Sequence, residues 1–358
     1  MRVSSYGLEC LKSFNYDNKS HKLPDELIFF ITNKCNSKCQ FCFYWEALNS
    51  KKNELSLDEI RNISSSFKKI DKLLISGGEP FLRKDLALIC DVFISQNHVK
   101  KIYIPTNGLD SELIIPMLKD ILSSNKSVDF STSVPFYGLN ETNDNLMGIK
   151  GAFERSLNTL KKISSLTKEH RNLRVSTNTV VCNKNINEID RLFEYLLGQE
   201  LEIEYMKYFP IRGNPKNQEL SPPNGAEWLN LSKKLEKIRK KHFLSRNSIL
   251  KYPVYKFLFR SFANLTSTAL YGRWPFPCLA GSKVGVLEED GKVKLCELTE
   301  PIGNIRDYQY DFSKIWSNEK AKKIRGNIES GCSHCTHGCF LIPSAIAHLG
   351  SFARMYFK

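Results

Sequence analysis

Apolar and polar positions follow two periods along most of this chain. Short runs rich in β-branched and aromatic residues recur at positions 27–32, 72–76, 101–105, 128–133, 173–181 and 203–209. Between them, apolar residues return every three to four positions over 56–69, 86–96, 111–122, 152–166 and 186–197. The first set predicts strands and the second amphipathic helices. Ser56, followed three residues on by Glu59, is a capping box at the start of the first helix. Strand–helix units repeated at this length predict a parallel sheet with helices outside it. Six units fall short of a closed eight-stranded barrel, so the expected fold class is α/β, a partial (β/α)6 TIM-like barrel. Binding residues of such sheets gather where strands end and the next loops begin. Cys35, Gly77 and Asn107 fall there.

The pattern breaks near Arg212. Arg212-Gly213-Asn214-Pro215 and Ser221-Pro222-Pro223-Asn224-Gly225 have turn and linker composition. Positions 228–242 predict a basic amphipathic helix. Positions 252–270 are aromatic and apolar with Lys256 and Arg260 interspersed, which suits packing on the protein itself, a substrate lid, or a membrane surface. Glu289-Asp290-Gly291-Lys292 reads as a hairpin turn between strands at 284–287 and 293–295. The expected organisation is a lead-in over 1–26, a barrel over 27–210, a linker or helical, candidate substrate-specific region over 211–274, a cysteine-rich module over 275–340 and a C-terminal tail over 341–358.

Composition adds compartment and chemistry. The apolar and charged fractions, 41% and 25% of 358 residues, are those of an ordinary globular protein. The net charge of +14 suits an acidic partner or simply a lysine-rich solvated surface. The chain holds eleven cysteines, an odd number in clustered spacings, which points to metal binding in a reducing compartment and away from a disulfide framework. Positions 1–20 are polar with no apolar signal core, so the expected location is cytoplasmic.

The strongest cluster is Cys35-Asn36-Ser37-Lys38-Cys39-Gln40-Phe41-Cys42, directly after the first strand. Thiolates at this CxxxCxxC spacing can hold three irons of a 4Fe–4S cube, leaving the fourth open to a small molecule. Taken alone the spacing also suits a zinc knot or buried thiols. Ser76-Gly77-Gly78-Glu79-Pro80 ends the second strand. Its glycines permit close backbone approach, Glu79 offers a carboxylate to an ammonium group, and Pro80 stiffens the exit.

On those two motifs together, the chain resembles the radical S-adenosylmethionine (radical SAM) superfamily, whose first strand ends in three such cysteines and whose second ends in GGEP. The resemblance implies that Cys35, Cys39 and Cys42 bind a 4Fe–4S cluster whose open iron chelates SAM. It implies that Phe41 lies near the adenine and that Gly77, Gly78 and Glu79, with Pro80, line the methionine amino group. One-electron cleavage of the sulfonium then gives a 5′-deoxyadenosyl radical that takes a hydrogen atom from substrate. That demands a very reducing donor, and protein iron–sulfur clusters reach about −700 mV. Thr106-Asn107-Gly108 matches the family's third strand end. Ser131 and Ser133 lie on the fourth strand, where the family contacts the SAM ribose or carboxylate, although its usual Asp is missing. Gly148 to Phe153 resembles the RGxxGxF stretch with Met147 in place of Arg. Ser176 and Asn178 are candidates for the ribose.

The C-terminal region resembles the family's SPASM or twitch extension: Cys278, then Gly291 and Cys296 in Gx4C spacing, Gly303-Asn304-Ile305, Ile315-Trp316-Ser317, and Cys332, Cys335 and Cys339. A full SPASM module uses seven cysteines. The five here imply one auxiliary 4Fe–4S cluster on Cys278 and Cys296 with two or three of the other three; structural zinc is the alternative. Cys10, Cys90 and Cys182 read as free thiols.

The resemblance thus implies a radical SAM enzyme, an oxidoreductase fed by an external one-electron donor such as flavodoxin or ferredoxin. Its substrate would be a small molecule, a sugar or a lipid-linked precursor, the last on peripheral membrane contact. Alternatives are a maturase of ribosomally made peptides, which the short lead-in disfavours, and a non-catalytic iron–sulfur sensor or nucleic-acid binder. No stacking RNA-binding motif is present, so no nucleic acid is expected as partner. Asp129, Glu204, Tyr205 and Lys207 are candidates for a general acid or base.

Overall fold

The computed structural model describes residues 23–246, 252–272, 277–331, 336 and 338–348. Six parallel strands, β1 (Glu26–Thr32), β2 (Lys72–Gly77), β3 (Lys101–Pro105), β4 (Asp129–Pro135), β5 (Leu173–Val181) and β6 (Tyr205–Pro210), lie side by side in chain order. Helices α1 (Leu57–Ser65), α2 (Leu86–Asn97), α3 (Ser111–Ser124), α4 (Asn140–Met147), α5 (Ala152–Leu166) and α6 (Ile189–Leu197) connect them. The mixed α/β architecture expected from the periodicity is present, including the capping box: Ser56 accepts from the Glu59 N–H while the Glu59 carboxylate accepts from the Ser56 N–H.

Side chains alternate across the strands. On β1, Phe29 meets Phe93 of α2 edge-on, centroids 6.0 Å apart, while Phe30 meets Tyr44 on the other face at 4.8 Å. On β6, Tyr208 stacks on Trp228 of α7 (Gly225–Arg246) at 4.8 Å. Its neighbour Lys207 points the opposite way, its Nζ 4.8 Å from the Tyr103 ring of β3. The outer face of the sheet is therefore the main apolar core. The inner face is mixed, lined by Tyr103, Ser133 and Lys207 among others.

One pairing was not legible in the sequence. The C-terminal hairpin, β7 (Val284–Leu287) and β8 (Lys292–Lys294), does not stand apart as a separate sheet. β7 pairs in parallel with β1, from Glu26↔Val284 to Phe29↔Leu287, and β8 pairs antiparallel with β9 (Gly303–Asn304). The described strands make one nine-stranded sheet in the order β6-β5-β4-β3-β2-β1-β7-β8-β9. Helices α7, α8 (Tyr252–Leu270), α9 (Phe312–Trp316), α10 (Glu319–Glu329) and α11 (Gly338–Ala347) complete the fold. α8 packs on α7, where Trp228 Nε1 donates to the Ala263 carbonyl at 3.1 Å. No helix among the described residues is long and apolar enough to cross a membrane.

Candidate functional site

β1 runs straight into the loop that carries Cys35, Cys39 and Cys42, and several elements pin that loop. The N–H of Lys38 and of Gln40 donate to the carbonyls of Met147 (3.1 Å) and Leu146 (2.9 Å) at the open end of α4. The Cys35 N–H donates to Asn49 Oδ1, and Asn49 Nδ2 returns a bond to the Cys35 carbonyl, both at 3.0 Å. Gly148 ends α4 at φ 67°, and a Cβ there would lie 2.7 Å from the Lys38 carbonyl. α4 was missed by sequence reading because its polar composition hides the helical period.

The strand end after β2 lies against this loop. The Gly78 and Glu79 N–H groups donate to the Thr32 and Lys34 carbonyls, both at 2.8 Å. A Cβ on Gly77 would meet the Thr32 oxygen at 2.3 Å, and one on Gly78 the Lys34 oxygen at 2.1 Å. The two glycines are thus required by the backbone of the cysteine loop itself, a tighter demand than the ligand approach read from the sequence.

Glu79 is buried beside them. Its Oε2 accepts the Asn107 N–H at 2.6 Å, its Oε1 the Phe81 N–H at 3.3 Å, and Thr106 adds a side-chain bond. Burial raises its pKa to about 7 despite those donors, and no cationic side chain among the described residues pairs with it. Asn107 also donates to Asn36 Oδ1 at 2.6 Å and bonds the Cys35 thiol. The ends of β1, β2 and β3 are thereby cross-braced around one carboxylate.

Burial raises all three thiols, Cys35 to about 11 and Cys39 to about 12, with Cys42 raised as well. Ser37 Oγ is 3.1 Å from Cys39 Sγ. Unaided, these groups remain thiols at neutral pH; a coordinated cation deprotonates them. Among the described residues no three His, Cys, Asp or Glu side chains are gathered where a single metal ion would sit. A cube places its thiolates on different irons, and three thiols on one loop are a donor set that suits such a cluster. The donor set also fits SAM: a buried carboxylate that lacks a cation, and on β5 the Asn178 Oδ1, buried with no hydrogen-bond partner.

The remaining candidates divide. Ser133 bonds Tyr103 on the inner face, and Ser131 lies on the same strand two residues before it. Ser176 donates to the Thr132 carbonyl at 3.1 Å. The Phe41 ring packs on Tyr137, centroids 4.2 Å apart. Tyr137, whose hydroxyl feels all three thiols and is held well above its ordinary pKa by burial, was not singled out in the sequence. Asp129 and Glu204 are exposed at the amino ends of β4 and β6, away from the cysteine loop, and Glu204 faces Arg174 at 3.5 Å. Tyr205 and Lys207 lie further along β6.

In the C-terminal region Cys296 is buried in a turn closed by Thr299, whose hydroxyl and N–H both donate to the Cys296 carbonyl. The Leu279 N–H, next to Cys278, donates to Ser344 Oγ of α11 at 3.0 Å, bringing that stretch to the helix that carries position 339. Cys10, Cys332, Cys335 and the Cys339 side chain lie outside the described residues. Cys90 and Cys182 are buried singly.

Comparison with known proteins extends this picture. The family model described as the radical SAM superfamily matches residues 29–196, and that of an iron–sulfur cluster-binding domain, SPASM, matches 278–337. A GTP 3′,8-cyclase of Mannheimia succiniciproducens is 30% identical over 186 residues, 49% of this chain; the chain spans about half, 51%, of that relative's length. An AdoMet-dependent heme synthase of Methanosarcina barkeri is 28% identical over 330 residues, 88% of this chain and 89% of the relative. Among solved structures, SuiB of Streptococcus suis bound to S-adenosylmethionine superposes at a TM-score of 0.60 over 90% of this chain and 71% of its own, with 16% identity, a likeness of fold. The family's cofactors are a 4Fe–4S cluster and SAM, joined in SPASM members by auxiliary iron–sulfur centres, and its chemistry needs an electron donor. This chain is a radical SAM superfamily enzyme with a SPASM module at its C-terminal end.

Proposed function

We propose that this enzyme abstracts a hydrogen atom from a substrate held over the inner face of the sheet, followed by oxidation or rearrangement. Cys35, Cys39 and Cys42 would hold a 4Fe–4S cluster that, with SAM, would supply the radical chemistry for that step. The residues around it bind and orient. Glu79 takes the methionine ammonium, with Gly77, Gly78 and Pro80 beside it. Thr106 and Asn107 fix the Glu79 carboxylate, and Asn107 also fixes Cys35. Ser131, Ser133, Ser176 and Asn178 offer hydroxyl and amide groups to the ribose and carboxylate, and Phe41, backed by Tyr137, flanks the adenine. Cys278 and Cys296, with two or three of Cys332, Cys335 and Cys339, hold one auxiliary 4Fe–4S cluster. A flavodoxin or ferredoxin supplies the electron.

The observation that carries this reading is Glu79: a buried carboxylate with no cation beside it among the described residues, braced against the cysteine loop. The test is anaerobic incubation of the iron-loaded protein with dithionite and SAM, with 5′-deoxyadenosine followed by mass spectrometry. Its formation supports the reading; intact SAM after many hours defeats it.

For the substrate, a small molecule is preferred, and a tetrapyrrole is the first to try. The heme synthase relative matches 88% of this chain and 89% of its own length, and an Fe-coproporphyrin III synthase of the same archaeon is 27% identical over 248 residues. An added tetrapyrrole that is consumed and accelerates 5′-deoxyadenosine formation supports this choice. An unchanged rate returns the question to sugars, lipid-linked precursors and peptides.

A further inference from the structure

The segment after β6 packs on the cysteine loop. From Ile211 it runs directly behind the cysteine loop. The N–H groups of Asn217 and Lys216 donate to the carbonyls of Gln40 (2.8 Å) and Cys42 (3.2 Å), and Asn217 Nδ2 donates to Gln40 Oε1 at 2.9 Å. Gly213, at φ 68°, approaches so closely that a Cβ would lie 2.9 Å from Phe43 Cβ.

This close passage puts Arg212 between the two cysteine regions. Its guanidinium carbon is 4.9 Å from the centre of the Phe43 ring, next in chain to Cys42. Its Nη2 is 3.2 Å from Glu297 Oε2, next in chain to Cys296. The Glu297 side chain is 5% exposed and that of Arg212 25%. Arg212 Nε is buried with no hydrogen-bond partner. Charges at this depth are screened far less than charges in water.

We propose that Arg212 is an electrostatic positioning residue for the loop cluster: its charge, held in place by Glu297, favours the reduced cluster and couples it to the Cys296 side of the molecule. The inference rests on the assignment of that cluster to Cys35, Cys39 and Cys42. Gaining an electron makes a cube more negative by one unit, so a fixed cation nearby raises its potential and a fixed anion lowers it. Lys216 is the other cation next to this loop, its N–H on the Cys42 carbonyl. Lys216 is exposed, so water and salt damp its share; Arg212 is not so shielded.

The test is a potentiometric EPR titration of the full chain, reconstituted anaerobically, following the signal that SAM perturbs. Arg212→Gln is expected to move the midpoint more negative and Glu297→Gln more positive, with Lys216→Gln unshifted at high salt. A purely structural role lowers iron content without moving two midpoints in opposite directions. Wild-type midpoints in both Arg212→Gln and Glu297→Gln, or shifts of the same sign, overturn the proposal. So does a Lys216→Gln shift as large as that of Arg212→Gln. If Arg212→Gln retains no iron, Glu297→Gln decides alone: a positive shift supports the proposal, and none or a negative one overturns it. A wild-type protein with no SAM-responsive signal overturns the cluster assignment and this inference with it.

Discussion

The buried carboxylate of Glu289 accepts a hydrogen bond from the Tyr44 hydroxyl, joining the tip of the C-terminal hairpin to a residue two positions beyond Cys42. Lys52 Nζ reaches the same carboxylate at 2.6 Å, and the Leu55 N–H donates to the Glu289 carbonyl at 2.7 Å. Because Tyr44 also packs on Phe30, the end of β1, the chain just beyond the cysteine loop and the module's hairpin form one packed unit.

Removing one partner from a buried pair leaves the other charge stranded, at about 3–5 kcal/mol. Lys52 retains 18% of its side-chain exposure and a second carboxylate, Asp290, at 3.4 Å, so Glu289→Gln is expected to fall below that range, at about 2–3 kcal/mol. Tyr44→Phe should cost about 1–3 kcal/mol, the usual range for an acceptor left short of a donor. Urea unfolding of both single variants and the double variant checks this. The double variant should lose less than the sum of the two.

Glu79 makes SAM binding and stability depend on pH. Its folded pKa is raised from 4.5 to about 7, mainly by burial. The folded chain therefore holds this proton more tightly than the unfolded chain. The resulting stability is full below pH 4.5 and is lost as pH rises through about 7, a change of about 3 kcal/mol. The SAM ammonium relieves that loss by pairing with the ionised form. SAM should thus raise the melting temperature more at pH 8 than at pH 6. Glu79→Gln should flatten this difference and weaken SAM binding about 10- to 100-fold, the value of a charged hydrogen bond. Thermal melts with and without SAM measure both.

Gly78→Ala cannot be accommodated by a side-chain shift. The new methyl group would lie 2.1 Å from the Lys34 carbonyl oxygen, a backbone atom of the cysteine loop. Iron content after reconstitution should fall by about half, the loop cluster being lost while the module keeps its own. Full iron loading of this variant would show that the loop tolerates the displacement.

These residues separate what the sequence discloses from what it hides. The β/α order was legible because strand and helix periods are local, and the cysteine loop and Gly77–Glu79 were legible because their spacing is. The β1–β7 pairing was not, since nothing in a four-residue apolar run such as Val284–Leu287 names its neighbour. Glu289 read as a turn residue, and only tertiary packing makes it a clasp. Asp129 failed as a cavity residue because strand alternation gives the face of a side chain but not its depth along the strand, and Glu204 because it is in phase with the outward-facing Tyr208.

The module also docks through Glu59 and Arg306, 2.6 Å apart. The Arg306 hydrogen bond holds Glu59 down at about 2, from 4.5. A depressed carboxylate contributes stability above its unfolded pKa, and that contribution is lost as pH falls from 4.5 towards 2. Glu59→Gln should remove about 2 kcal/mol at pH 7 and much less near pH 2, given the partial exposure of the pair. Denaturant melts at the two pH values make the comparison.

The central claim is that three thiolates leave one iron of the loop cluster free for SAM. The most direct measurement is the EPR spectrum of the dithionite-reduced, anaerobically reconstituted protein with and without SAM, alongside Cys39→Ala. The account predicts about eight irons per chain from two four-iron clusters, a spectrum that changes on SAM addition, and loss of that change in Cys39→Ala. A cluster spectrum indifferent to SAM, or one that still responds after Cys39→Ala, contradicts it.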